Sequence, residues 1–230
     1  MIHDSKNFIL TIAPNVAHCD DAYVGYISYN GYNFIGPQTK KHNELFLQRN
    51  IKKNPNYQIR TPINYGSFAG LENNKKIVII LESPSNNEYN NICEIVSPAM
   101  GNTGGRINKQ LIPLLNRSIS KLNINPQNLN INVRYDIYLV NAIRYHCDLG
   151  DPQSRKKVKF IFTFLWDKFN YDKNEDLIER LNIIKPDIII NSCTQDLRNL
   201  CSKNYLQNSQ CTMVLDASSH PLCWNINTSL

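Results

Sequence analysis

Three polar side chains with complementary chemistry stand just beyond apolar runs in this chain. Lys76-Ile77-Val78-Ile79-Ile80-Leu81 delivers Glu82-Ser83-Pro84-Ser85, and Tyr135-Asp136-Ile137-Tyr138-Leu139-Val140 delivers Asn141. Thr212-Met213-Val214-Leu215 runs into Ser218-Ser219-His220-Pro221. A carboxylate can position or activate water and oppose a developing cation. An amide can bond the edge of a planar heterocycle, and an imidazole can donate to an oxygen on which charge accumulates. Such a trio suits breaking a bond to a nucleobase. In an open parallel α/β sheet, ligands bind in the crevice outside the carboxyl ends of the strands. Residues far apart in the chain then meet in one place.

Elements of the right kind are legible around them. Ile77–Leu81 is a continuous apolar run, as in a strand buried on both faces. Gly101-Asn102-Thr103-Gly104-Gly105 forms a glycine-rich loop before a helix predicted over Arg106–Ser120, whose apolar face is Ile107, Leu111, Ile112, Leu114 and Leu115. A strand over Tyr135–Val140 follows, then a basic loop at Arg155-Lys156-Lys157. Amphipathic helices are expected over Val158–Phe169 and Glu175–Ile184, and Pro186 precedes a strand at Asp187–Asn191. A helix near Gln195–Ser202 leads to the last strand, Thr212–Asp216. Alternation of this kind implies right-handed crossovers and an α/β class. The expected architecture is three-layer α/β/α around a central four-stranded parallel sheet, spanning residues 75–230.

Residues 1–74 read differently, as an N-terminal extension packed on that core. Tyr23, Tyr26, Tyr29 and Tyr32 cluster around Gly25 and Gly31, which indicates short strands and turns, followed by a helix over His42–Ile51. These tyrosines suit packing against the core, with stacking on bases as the other use open to them.

Composition narrows the class. A net charge of +6 and a pI near 8.9 favour an anionic partner such as nucleic acid. The seven cysteines are odd in number and none pair at two-residue spacing, which suits reduced thiols. His18-Cys19 and His146-Cys147 lack partner pairs at zinc-site spacing, so no metal is expected. The opening Met1-Ile2-His3-Asp4 has no signal-peptide character, and the apolar runs are strand length. A cytoplasmic protein without a membrane partner follows as the expectation. Neither a P-loop nor a Gly-x-Gly-x-x-Gly fingerprint stands at a strand end.

Five segments, in order, resemble the uracil-DNA glycosylase superfamily over about residues 75 to 224. Glu82-Ser83-Pro84-Ser85 is similar to the Gly-Glu-Ala-Pro-Gly motif of its family 4 form. Pro98-Ala99-Met100-Gly101-Asn102-Thr103-Gly104 is similar to the Pro-Phe-Val-Gly-Arg-Ala-Gly that follows there. Tyr138-Leu139-Val140-Asn141-Ala142-Ile143-Arg144 resembles the strand and asparagine motif, and Lys185-Pro186-Asp187-Ile188-Ile189-Ile190 the strand before the last motif. Ser219-His220-Pro221 resembles the His-Pro-Ser motif. The resemblance implies a DNA glycosylase acting on a flipped-out base. Glu82 would position water, Asn141 would bond the base edge, and His220 would donate to the pyrimidine O2. Ser83, Pro84, Ser85, Ala99 and Met100 would line the base site. Ser83, Ser85, Ser218 and Ser219 would grip flanking phosphates, and Arg155, Lys156, Lys157 and Lys159 would extend the phosphate track. Leu222 or Trp224 would fill the vacated stack, unless Trp224 caps the core instead.

The pattern also breaks. Leu81 replaces the glycine that opens the first motif, Ala99 stands where the family has an aromatic platform, and Ser85 where classical uracil enzymes carry a tyrosine gate. Ser83 stands where other branches carry an acid or amide that activates water. A roomier pocket follows, suited to a bulky 5-modified base such as glucosylated hydroxymethylcytosine of phage DNA. An N-terminal tyrosine supplying the stack for plain uracil is the alternative. Only Cys19 lies where two iron–sulfur cysteines are placed in family 4, and Cys147 falls near but not at the later position, so no cofactor is expected. No lysine stands inside the motifs where a Schiff-base lyase would need one, which implies a monofunctional enzyme on double- or single-stranded DNA, working as a monomer. A catalytically silent nucleic-acid binder of the same fold is the competing class.

Overall fold

A computed structural model describes residues 19–36, 61–63, 74–84, 88, 98–99, 102–121, 129, 131–145, 147, 155–167, 176–225 and 230. The helix expected over His42–Ile51, and the site candidates Ser85 and Met100, lie outside the described residues.

The strands are β1 (Ala22–Tyr29), β2 (Phe34–Ile35), β3 (Thr61–Pro62), β4 (Lys75–Leu81), β5 (Val133–Asn141), β6 (Ile188–Asn191) and β7 (Met213–Asp216). They form one seven-stranded sheet in the order β2-β1-β5-β4-β6-β7, with β3 pairing on β1. β5, β4, β6 and β7 are parallel, while β1 runs antiparallel to β5, β2 and β3. The four parallel strands match the sequence reading, but the sheet does not stop there. The N-terminal segment supplies β1 as a direct continuation of the sheet at β5, because the Tyr/Ile-rich run Ala22–Tyr29 satisfies the free backbone edge of β5. It is part of a mixed α/β sheet, not a layer laid on a four-stranded one.

Strand alternation sorts the core into two. Ile77, Ile79 and Leu81 of β4 and Tyr135, Ile137 and Leu139 of β5 face one side; Val78, Ile80, Tyr138 and Val140 face the other. Helix α1 (Asn102–Lys121) covers the first side with Ile107, Leu111, Ile112, Leu114 and Leu115. It starts earlier than the expected Arg106, since the two glycines of its first turn weaken the helix without ending it. Helices α2 (Arg155–Trp166) and α3 (Asp176–Ile184) cover the second side through Phe162, Leu165, Trp166, Leu177, Leu181 and Ile184. Lys185 ends α3 in a left-handed conformation (φ 54), its amide donating to Leu181 O at 2.7 Å just before Pro186.

The single helix expected near Gln195–Ser202 is two short ones, α4 (Gln195–Arg198) and α5 (Lys203–Leu206). Ser202 is the reason: its hydroxyl accepts the amide of Tyr205 at 3.3 Å, an N-terminal cap that restarts the helix. Among the described residues, no helix is long and apolar enough to cross a membrane.

Three of the four N-terminal tyrosines, Tyr23, Tyr26 and Tyr29, pack against neighbouring side chains. Tyr29 is buried and tilted against Phe34 (5.2 Å between centroids), and Tyr23 lies 5.6 Å from Tyr138. The Arg134 guanidinium sits 4.1 Å over the Tyr26 ring. Tyr32 is exposed in the β1–β2 turn, beyond the end of β1 that pairs with Val133 at the start of β5. That is the pole of the sheet opposite the carboxyl ends of the parallel strands.

Candidate active site at the carboxyl ends of the parallel strands

The chain leaves β4 to form β5 on one side, then crosses back to place β6 on the other. The order therefore reverses at the β4/β6 pair, where an open α/β sheet leaves a crevice at its carboxyl edge. Backbone bonds carry the ladder past the strands on both sides of that point. Ala142 N donates to Leu81 O (2.7 Å), Ile143 N to Glu82 O (3.1 Å), Ser192 N to Ile80 O (3.0 Å) and Ala217 N to Asn191 O (2.9 Å). Glu82, Asn141 and the segment leading to His220 consequently sit at one edge of the sheet, as the sequence reading required.

Glu82 is half-buried at the reversal point. Its Oε2 accepts the hydroxyl of Thr194 at 2.6 Å and the Thr194 amide at 3.3 Å. Thr194 stands at the N-cap of α4, yet its side chain makes no capping bond. Its hydroxyl serves the carboxylate instead, and so fixes one oxygen of Glu82 across the β4/β6 boundary. The buried thiols of Cys193 and Cys201 lie close by; burial, with Cys193 and Glu82 adding to it, pushes Cys201 well above the usual thiol range. It stays a neutral thiol and offers no thiolate nucleophile.

Asn141 is the end residue of β5, register partner of Leu81, and fully buried. Alternation puts its side chain on the α1 side, with Leu139 and Ile137. Neither its amide nitrogen nor its amide oxygen has a hydrogen-bond partner among the described residues. Buried polar groups are almost always paired, so an amide unpaired at both atoms calls for a physical reason. The buried Ser192 hydroxyl likewise has no partner among the described residues. It follows β6 on the same row, since Ile80 pairs with Asn191 and Leu81 with Asn141.

The main chain of Asn141 is, by contrast, tightly held. Its N–H donates to Asp21 Oδ1 (3.1 Å) and its carbonyl accepts Arg180 Nη2 (2.9 Å). Arg180 also pairs with Asp21 and with Asp176, and Asp176 pairs with Arg144 at 3.1 Å. Removing one member of such a buried pair typically costs about 3–5 kcal/mol.

His220 is half-buried, and burial lowers its pKa to about 4. The ring is neutral at neutral pH, a form that carries one N–H donor. Its loop is anchored from below. Trp224 Nε1 donates to Ser219 O at 2.9 Å, and Cys223 N to His220 O at 2.8 Å, closing the 3-10 turn Pro221–Cys223. The Trp224 ring is 0% exposed within the α1-side core. That removes Trp224 as a wedge for DNA: a ring sealed in the core cannot enter a base stack, and its role is to hold the histidine loop.

The other candidates divide. Pro84 is buried and Ser83 half-buried beside Glu82; Ser218 is exposed and Ser219 half-buried next to His220. Ala99 is buried with a left-handed backbone (φ 52), its amide donating to Glu88 Oε1 at 2.9 Å. Leu222 lies in the turn Pro221–Cys223, and Arg155, Lys156 and Lys157 open α2, their side chains lying outside the described residues. Lys159 is exposed. Among the described residues, no group of three His, Cys, Asp or Glu side chains is placed to hold a metal ion.

Asp21, Arg180, Thr194 and Ser192 were not singled out by sequence. Arg180 alone left a signal, a charge on the apolar stripe formed by Leu177, Leu181 and Ile184. Searches of protein-family models, curated proteins and solved structures found no match to this chain.

Proposed function

We propose that this chain is a monofunctional DNA glycosylase that hydrolyses the N-glycosidic bond of a flipped-out pyrimidine and leaves an abasic site. The observation that carries the reading is the side-chain amide of Asn141, buried beside the sheet's reversal point and without a partner at either atom among the described residues. An amide offers a donor and an acceptor side by side, which complements the hydrogen-bonding edge of a nucleobase. Burial without a partner is tolerable when a ligand completes the bonds.

In this reading water adds its oxygen to the sugar C1′ as the bond to the base nitrogen breaks, and the base departs with the electron pair. Glu82, its Oε2 held by Thr194, positions that water and faces the cationic sugar. A neutral His220 donates to the base oxygen as negative charge gathers there, and needs no proton from solvent to do so. The base class is a 5-substituted pyrimidine. Supporting this, the residue at the family's aromatic platform position is Ala99, whose buried methyl cannot stack on a ring.

Base release from DNA containing uracil or 5-hydroxymethylcytosine, measured for the native chain and for Asn141→Leu, tests the reading. The native chain should release the modified base and the variant neither; equal release by both proteins would remove Asn141 from the site.

A further inference from the structure

Among the described residues, no hydrogen bond holds the Asn141 side-chain amide in place. The hydrogen bonds that fix this residue are made by its main chain. Asp21, immediately before β1 and fully buried, accepts the Asn141 N–H on Oδ1, while its Oδ2 takes Arg180 Nη1. Arg180 Nη2 donates to the Asn141 carbonyl at 2.9 Å and to the Ala142 carbonyl at 3.4 Å. The N–H and the carbonyl of one strand-end residue are therefore both held by a single ion pair drawn from positions 21 and 180.

Local backbone features set this up. β1 carries an irregularity between Tyr23 and Gly25, where Gly25 has φ 144; before it Ala22 pairs with Leu139, and the Asp21 side chain reaches the Asn141 N–H. Ile63 N donates to Asp21 O at 2.8 Å and pins it from the other side. Asp176 Oδ2 accepts Arg180 Nε at 2.9 Å and orients the guanidinium fork. A buried ion pair is a poor device for stability alone, since apolar packing of equal volume generally does as well. Its value here is directional.

We propose that Asp21 and Arg180 are positioning residues, which lock the main chain of Asn141 so that its amide keeps the orientation in which it receives the base. The N-terminal segment thereby completes the site. For the identity of the ligand this rests on the glycosylase reading; the lock itself does not.

The test uses the full chain with Arg180→Lys, which keeps the charge but loses the fork, and with Asp21→Asn and Asp21→Ala. Hydrogen exchange is followed by peptide, and the Asn141 side-chain amide signals are identified in nitrogen–proton correlation spectra by their loss in Asn141→Leu. In Arg180→Lys, residues 139–145 should exchange at least about tenfold faster while β4 and β6 keep native protection. The amide pair of Asn141 should broaden. Base release should fall about 10- to 100-fold in kcat with KM for DNA within about twofold, and Asp21→Asn should retain more activity than Asp21→Ala. Unchanged exchange at 139–145 with a sharp Asn141 amide pair would overturn the proposal, as would loss of protection spread evenly over the sheet. A native chain that releases no base counts against the glycosylase reading alone; the lock is then decided by exchange and spectra.

Discussion

Replacing Asn141 with leucine should make the protein more stable and abolish its activity. Its side chain is fully buried, and both polar atoms lack partners among the described residues. In proteins each such group costs about 1–3 kcal/mol, so the amide destabilises the folded chain by about 2–6 kcal/mol relative to an apolar group of the same shape. Leucine is similar in volume, and imperfect fit returns about 1 kcal/mol of that gain. The bonds to Asp21 and Arg180 are unaffected because they belong to the main chain. The net expectation is a gain of about 1–5 kcal/mol. At about 2–4 °C per kcal/mol for a chain of this size, Tm should rise by roughly 2–20 °C. Thermal and urea melts of both proteins, run beside a base-release assay, give the two numbers. A variant destabilised by more than about 1 kcal/mol would refute the reasoning, because it would mean the amide is structural and already satisfied.

The remaining expectations concern the residues around that amide. Thr194→Val should slow base release about tenfold with little change in stability, since it removes the hydroxyl that Glu82 Oε2 accepts; Glu82→Gln should slow it at least a hundredfold, and single-turnover kinetics separate the two. His220 has a folded pKa of about 4 against the ordinary 6.5, so the unfolded chain takes up the proton first as pH falls. Stability should decline between pH 6.5 and 4 by up to about 3 kcal/mol, less whatever solvent screens, and denaturant melts of His220→Gln should lack that part of the decline. Trp224→Ala should cost about 3–5 kcal/mol in the same melts and loosen the His220 loop, because the ring is sealed in the core under Ser219.

The parallel strands and their polar ends were legible because both rest on local pattern. Ile77–Leu81 is apolar at every position, and only a strand buried on both faces accommodates that in so few residues. Asn141 and Glu82 stand out because each is polar directly after such a run. β1 was legible as a strand but not as a neighbour of β5, since edge pairing is decided by a partner more than a hundred residues away. Nothing local reveals that Asp21 accepts the main-chain N–H of Asn141, because the two residues lie 120 positions apart in the chain. Thr194 reads as an ordinary helix cap in sequence, and only the reversal of strand order brings it to Glu82. Trp224 was open between two roles; its burial beside Leu215 and Ala217 decides for the core.

The most direct test of the central claim is base release by the full chain. Duplex and single-stranded oligonucleotides carrying uracil, 5-hydroxymethylcytosine or its glucosylated form are incubated with the protein, with Glu82→Gln as control. Free base is identified by mass, and abasic sites are scored by alkali cleavage. The expected result is free base and matching alkali-labile sites with the native chain, strongest for the 5-substituted pyrimidines, and neither with the control. Oligonucleotides that keep all three bases in both strand forms would contradict a glycosylase.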